Sequence, residues 1–206
     1  MKLVSALHLC LVLVFPIFFT SCSTTEKLPG LTPDAAILAF GDSLTAGTGA
    51  GVDESYPSVL ARISGRKVIN AGIPGEISAE GLARLPEVLE REKPALMILC
   101  HCANDLLRHM DQRQAADNLR AMIRLARERG VSVVLVAVPL PDLSLTPPSF
   151  YNEVAKEFGI PCENKIFPRI LGKRSLKSDY IHPNAAGYRQ LAEALAELLM
   201  KSGALP

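Results

Sequence analysis

Val131-Ser132-Val133-Val134-Leu135-Val136-Ala137-Val138 is the stretch that decides the fold. It is nearly all apolar, rich in β-branched residues and too short for a typical helix, so it reads as a buried strand. A strand apolar on both faces must be covered on both, as in a parallel sheet between helical layers. Upstream, Leu119, Met122, Ile123 and Ala126 recur at helical spacing and form one apolar stripe. Asp111 with Gln114 predicts a capping box at the start of that helix, and Gly130 ends it. Further upstream lie three more strand candidates, Ala95–Cys100 (ALMILC), Lys67–Asn70 (KVIN) and Ala36–Phe40. Between Lys67–Asn70 and Ala95–Cys100, Ser78 is placed to cap a helix running towards Glu92, with a kink expected at Pro86. Downstream, a weaker fifth strand is expected near Ile160–Cys162. A final helix carries Tyr188, Leu191, Ala192, Leu195, Leu198 and Leu199 on one face.

This βαβαβαβα order predicts a three-layer α/β/α sandwich around a parallel sheet with right-handed crossovers. Ligands then bind at the carboxyl ends of the strands. Chemistry is expected just after Phe40, Asn70, Cys100 and Val138, and in the loop entering the last helix. Residues 35–203 suit a single domain, with no internal repeat or low-complexity tract.

The N-terminus reads differently. Met1-Lys2 is a short positive start, and Leu3 to Thr20 is apolar apart from Ser5, His8 and Pro16. That is a signal-peptide pattern over residues 1–21, with an uncleaved membrane anchor as the alternative. Phe19-Thr20-Ser21-Cys22 looks like a bacterial lipobox, with cleavage before Cys22 and lipid attached to it; ordinary signal cleavage nearby is the other reading. Each of these predicts an extracytoplasmic protein of the periplasm or cell envelope, and a lipid on Cys22 would associate it with a membrane. Residues 22–34, rich in Ser, Thr, Pro and Gly, read as a tether.

The chain carries a formal charge of +1, and losing Lys2 with the signal brings it to zero. No basic run is present, which removes the electrostatic case for nucleic acid or for a polybasic membrane patch. Cys100, Cys102 and Cys162 set up no disulfide framework. Cys100-His101-Cys102 raises a metal reading, but no matching Cys or His pair stands at zinc-site spacing, so small buried strand residues are expected instead.

Gly41-Asp42-Ser43-Leu44-Thr45-Ala46-Gly47 follows the first strand, which places the Ser43 hydroxyl at the cleft. Neither a dinucleotide-binding nor a P-loop spacing is met, and Thr45 breaks the GxSxG elbow. Serine becomes a nucleophile only with a base beside it. His101 ends an interior strand and reads as a satisfied core residue, and His109 lies in a polar loop. His182 differs. In Ser178-Asp179-Tyr180-Ile181-His182-Pro183 a carboxylate stands three residues before it. Pro183 suits the first helical position and keeps His182 extended. Such a turn can fold Asp179 onto one imidazole nitrogen and leave the other for Ser43, the order of a Ser-His-Asp triad. An oxyanion also needs donors. Gly75, after the second strand, and Asn104, after the third, are the candidates.

GDSLTAG, NAGIPGEIS, CANDLLR and DYIHPNAAGY together resemble the four blocks of the GDSL, or SGNH, hydrolases, in order and across nearly all of Ala35–Met200. The subgroup most similar in look is the bacterial extracytoplasmic thioesterases, lysophospholipases and arylesterases. The resemblance implies a flavodoxin-like sheet of five strands in the order 2-1-3-4-5. It implies Ser43 as nucleophile, His182 as base, Asp179 as its orienter, and the Ser43 amide, Gly75 and Asn104 as oxyanion donors. No metal or organic cofactor is implied. The expected substrates are small aryl or alkyl esters, lysophospholipids or acyl thioesters, cleaved through an acyl-serine. Two alternatives stand beside this: a carbohydrate O-acetylesterase of the envelope, and a non-catalytic binding module on the same fold.

The third block departs from the family's Gly-Gly-Asn-Asp, reading Cys102-Ala103-Asn104-Asp105. Backbone strain is therefore expected at Ala103, and a thiol near the site. Pro139–Ser149 is short beside the family's acyl-binding loops, so the resemblance carries no chain-length preference.

Overall fold

A computed structural model describes residues 27–140, 142 and 144–206. The expected signal peptide, Cys22 and the first part of the tether lie outside them. Five strands, β1 (Ala36–Gly41), β2 (Lys67–Gly72), β3 (Leu96–Cys100), β4 (Ser132–Val136) and β5 (Cys162–Glu163), form one parallel sheet in the order β2-β1-β3-β4-β5. The expected strands stand where the apolar runs put them. The fifth is displaced towards Glu163 and short, Cys162 and Glu163 pairing with Leu135 and Val136 of β4.

Eight helices occur among the described residues: α1 (Ser43–Ala46), α2 (Tyr56–Ser64), α3 (Ser78–Glu92), α4 (Ala103–Leu107), α5 (Gln112–Arg127), α6 (Ser149–Phe158), α7 (Ile166–Leu171) and α8 (Ala185–Lys201). Helices α2 and α8 pack together on one face of the sheet, and α3, α5 and α6 pack in sequence on the other. The apolar stripe of α5 is wholly buried. On α8, Tyr188, Leu191, Ala192, Leu195 and Leu199 are buried and Leu198 is partly so. β1 and β3 are buried on both faces, as covered parallel strands must be.

Several local expectations change. Ser78 does not cap α3; Ile77 occupies the cap, and the Ser78 hydroxyl turns inward to Asp105. Helix α3 runs through Pro86 as one element. Asp111 does cap α5, accepting from the Arg113 amide, but Gln114 donates forward to Asn118 rather than back to the cap, so no capping box forms. Pro183 precedes the Asn184 cap of α8 instead of opening the helix. The tether reading also fails for its described half. The Leu28 amide donates to the Ser202 carbonyl at 2.8 Å and the Leu31 amide to Ala204 at 2.9 Å, while both leucines pack on the core. The folded unit therefore reaches from about residue 27 to the buried Ala204 and Leu205, beyond the 35–203 expected.

The register sets the stage for the site. Gly41 stands level with Gly72 on one side and Cys100 on the other, so three strands end in one row. A side chain at Gly41 would meet the Cys100 carbonyl at 1.9 Å, and one at Gly72 the Ala46 amide at 2.1 Å. Glycine lets the backbone after β1 turn sharply over its neighbours.

Candidate active site

Ser43 is the first residue of α1, immediately beyond that row. Asp42 caps the helix by accepting from the Leu44 amide, and Gly47 closes it in the left-handed region at φ 94°. The serine is thus fixed by a one-turn helix rather than a free loop. Burial pushes the Asp42 carboxyl above its ordinary value, and His101 and the amides of Leu44 and Ala103 offset only part of this. Its second oxygen, Oδ2, is buried without a hydrogen-bond partner.

The base arrives from the other end of the chain. The Ser178 amide donates to the His182 carbonyl at 3.0 Å, and a bridge joins Lys177 to Pro183, so residues 177–183 form a closed turn. Inside it, one Asp179 oxygen accepts from the Ile181 and His182 amides, each at 2.8 Å. The other lies 2.7 Å from His182 Nδ1. Burial pushes the Asp179 carboxyl up, but these hydrogen bonds, His182's foremost, outweigh it and hold the group below the usual carboxylate range. An ionised carboxylate can only accept, so Nδ1 carries the proton and Nε2 is left as an acceptor. Nε2 stands 3.1 Å from Ser43 Oγ, the distance at which it can take the hydroxyl proton. Ser43, His182 and Asp179, singled out in the sequence, are brought together across 139 residues of chain.

Gly75 and Asn104 flank the serine from the next two strand ends. Gly75 has φ 81°, with open space where a Cβ would be, so it is needed for its backbone conformation and not for room. Among the described residues the Ser43 and Gly75 amides make no hydrogen bond. Asn104 Nδ2 spends one hydrogen on the Glu76 carbonyl at 2.9 Å and keeps the other.

The expected strain at Ala103 is misplaced by one residue. Cys102 takes the left-handed conformation, at φ 79°, and Ala103 begins α4. The chain must reverse there to bring Asn104 round to the cleft. The Cys102 thiol does not reach the site either. It is fully buried towards the Ala115 carbonyl, and burial pushes its pKa well up, which leaves it unreactive.

Behind the donors lies a polar lattice to which the sequence reading assigned no role. Glu76 accepts from Arg84 and from the buried His101, whose other nitrogen accepts from the Cys102 amide. Arg84 also donates to the Ala71 and Gly41 carbonyls and lies over the Phe40 ring at 4.0 Å. Arg108 holds the Gly75 carbonyl at 2.8 Å. Asp105 accepts from the Ser78 amide and hydroxyl, and Asn118 donates to that hydroxyl. His101 is therefore the satisfied core histidine expected, and His109 is exposed as expected. His101, Cys102 and Asp105 offer ligand-type atoms within 4.8 Å of one another, but each is already engaged in these hydrogen bonds. Glu76 and Asp105 lie inside the motif blocks, a usable signal; Arg84 is one helical arginine among several and carries none.

Beside the triad opens a cavity of about 460 Å³ lined by Ser43, His182 and mainly apolar side chains, including Leu44, Leu107, Val138, Leu140, Leu145 and Leu171. The short segment after β4 supplies part of that wall. The size falls in the range of small-molecule sites.

Comparison with known proteins places the chain among esterases and acylhydrolases of the same fold. The chain is 33% identical over 179 residues to the esterase TesA of Pseudomonas aeruginosa, covering 79% of this chain and 88% of that one. It is 29% identical over 171 residues to the thioesterase 1/protease 1/lysophospholipase L1 of Escherichia coli K12, covering 79% and 82%. The crystal structure of the psychrotrophic esterase EstA from Pseudoalteromonas sp., inhibited by monoethylphosphonate, superposes with a TM-score of 0.72 at 26% identity, covering 82% of this chain and 98% of that one. The model of the GDSL-like lipase/acylhydrolase family matches residues 39–190, from inside β1 to inside α8 and so across every strand end that builds the cleft: the chain belongs to that family.

Proposed function

We propose that this protein is a serine esterase of the cell envelope that hydrolyses acyl esters and thioesters through an acyl-Ser43 intermediate. The observation that carries the reading is the relay Asp179–His182–Ser43, at 2.7 and 3.1 Å, opening on an apolar cavity. His182 Nε2 takes the proton as Ser43 Oγ bonds to the acyl carbon. The carbonyl oxygen becomes an oxyanion facing the three unspent donors, on Ser43, Gly75 and Asn104. Collapse of that intermediate breaks the bond to the alcohol or thiol, which leaves with the proton from His182. Water, activated by the same nitrogen, then releases the acid. The apolar cavity suits the acyl chain, and the relatives named as thioesterase, lysophospholipase and esterase support that substrate range. Placement in the envelope, with lipid on Cys22, rests on the N-terminal sequence pattern alone.

A fluorophosphonate probe should label Ser43, and Ser43→Ala should lose both the label and the turnover of short p-nitrophenyl esters. Undiminished turnover in Ser43→Ala refutes the mechanism. Mass spectrometry of the mature N-terminus tests Cys22 separately.

A further inference from the structure

The residues that lead out of the described fold are fixed at the end of the domain opposite the cleft. Leu28 and Leu31 are hydrogen-bonded to Ser202 and Ala204, beyond the last turn of α8. From there the chain enters β1 at Ala36, which stands beside Ala95 and Lys67 in the row where strands begin. Ser43 lies beyond the row where they end. Six strand residues, about 20 Å, separate the two levels. Most of the large apolar side chains exposed on the described residues gather at the cleft end, among them Ile73, Leu107, Met110 and Tyr180, the last 91% exposed.

Four residues lie between Cys22 and Lys27, so five Cα-to-Cα steps span at most about 18 Å. A compact domain of this size has a radius of gyration of about 16 Å and is about 40 Å across. A chain that short, leaving one pole, cannot let the opposite pole meet the surface that holds Cys22. We propose that the anchored enzyme does not work on the bilayer it is anchored in. Its cleft faces away, and it takes acyl esters that arrive through the aqueous compartment, as monomers or micelles. The inference rests on the envelope-anchored reading above, but its geometry can be tested apart from lipidation.

The mature chain from Cys22, with the partly buried Cys162 replaced as Cys162→Ser, would be coupled through the Cys22 thiol itself to vesicles containing a maleimide-bearing lipid, which keeps the native spacing. The substrate is a long-chain 4-methylumbelliferyl ester, first shown to be hydrolysed in detergent micelles and then dissolved in the same vesicles. A second protein carries thirty Gly/Ser residues inserted between Glu26 and Lys27. Turnover of a water-soluble butyrate ester should be equal for both proteins, bound or free. On the vesicle-dissolved ester, the native spacing should gain nothing over unbound protein at equal bulk concentration. The long insert should gain about tenfold or more, because tethering raises effective concentration only where geometry allows engagement. A comparable gain at native spacing, or no effect of the insert, overturns the proposal. An unlipidated Cys22 in the natural chain would instead remove the lipoprotein reading and leave the vesicle result standing.

Discussion

Cys102, at φ 79° between β3 and the helix that carries Asn104, holds a backbone conformation that a side chain disfavours. A left-handed non-glycine residue costs about 1–2 kcal/mol. Cys102→Gly and Cys102→Ala both lose the buried thiol, but only glycine also removes the conformational penalty. Cys102→Gly should therefore be more stable than Cys102→Ala by about 1 kcal/mol in urea denaturation; equal midpoints would mean that the conformation is not strained. Asp42 gives a second residue-scale test. Burial raises its carboxyl pKa, so the native state holds the proton more tightly than the unfolded chain. Its stabilising contribution is full below the unfolded value, about 4, and is lost as pH rises through the folded one. Asp42→Asn keeps an acceptor for the Leu44 amide and cannot ionise. Its melting temperature should gain on the wild type between about pH 4 and pH 8, and a constant difference across that range would contradict the raised value.

At the scale of elements, the oxyanion donors depend on a junction of two loops and a helix. The loop after β2 brings Gly75, α4 brings Asn104, and α3 brings Arg84, which ties Glu76 to the carbonyls of β1 and β2. Removing one member of a buried ion pair strands the other. Arg84→Met should therefore destabilise the protein by about 3 kcal/mol, the low end for such pairs because Arg84 keeps 20% of its side-chain exposure. Because Asn104 hangs from the Glu76 carbonyl, kcat should fall more than KM rises. Wild-type kcat in a folded Arg84→Met would show that the lattice does not position the donors. The two donors could be read from their motif blocks, but the bracing by Arg84 could not. The helical stripe of α5 and the apolar run of β4 could be read because period and hydrophobicity are local properties. The partners of Ser78, Gln114 and Arg84 could not, because a polar side chain takes whichever acceptor the fold delivers.

Across the whole molecule, the first and last described segments close the floor of the sandwich, far from the chemistry. Deleting residues 27–33 removes two half-buried leucines and their hydrogen bonds to residues 202–204. That should cost about 2 kcal/mol of stability, measured by denaturant unfolding, with kcat/KM for a soluble ester unchanged. A loss of activity without a loss of stability would place those residues in the site's support instead. Local pattern was enough to read the strand–helix alternation and the parallel sheet, and to single out Ser43, Asp179 and His182. Those rest on periodicity and on residue types at loops whose position in an α/β sheet is already constrained. It took the packed fold to show that Cys102 and not Ala103 turns left-handed, that Arg84 and Glu76 brace the donors, and that residues 27–31 dock instead of dangling. Each of these is settled by contacts between segments far apart in the chain, whose energies no local pattern encodes.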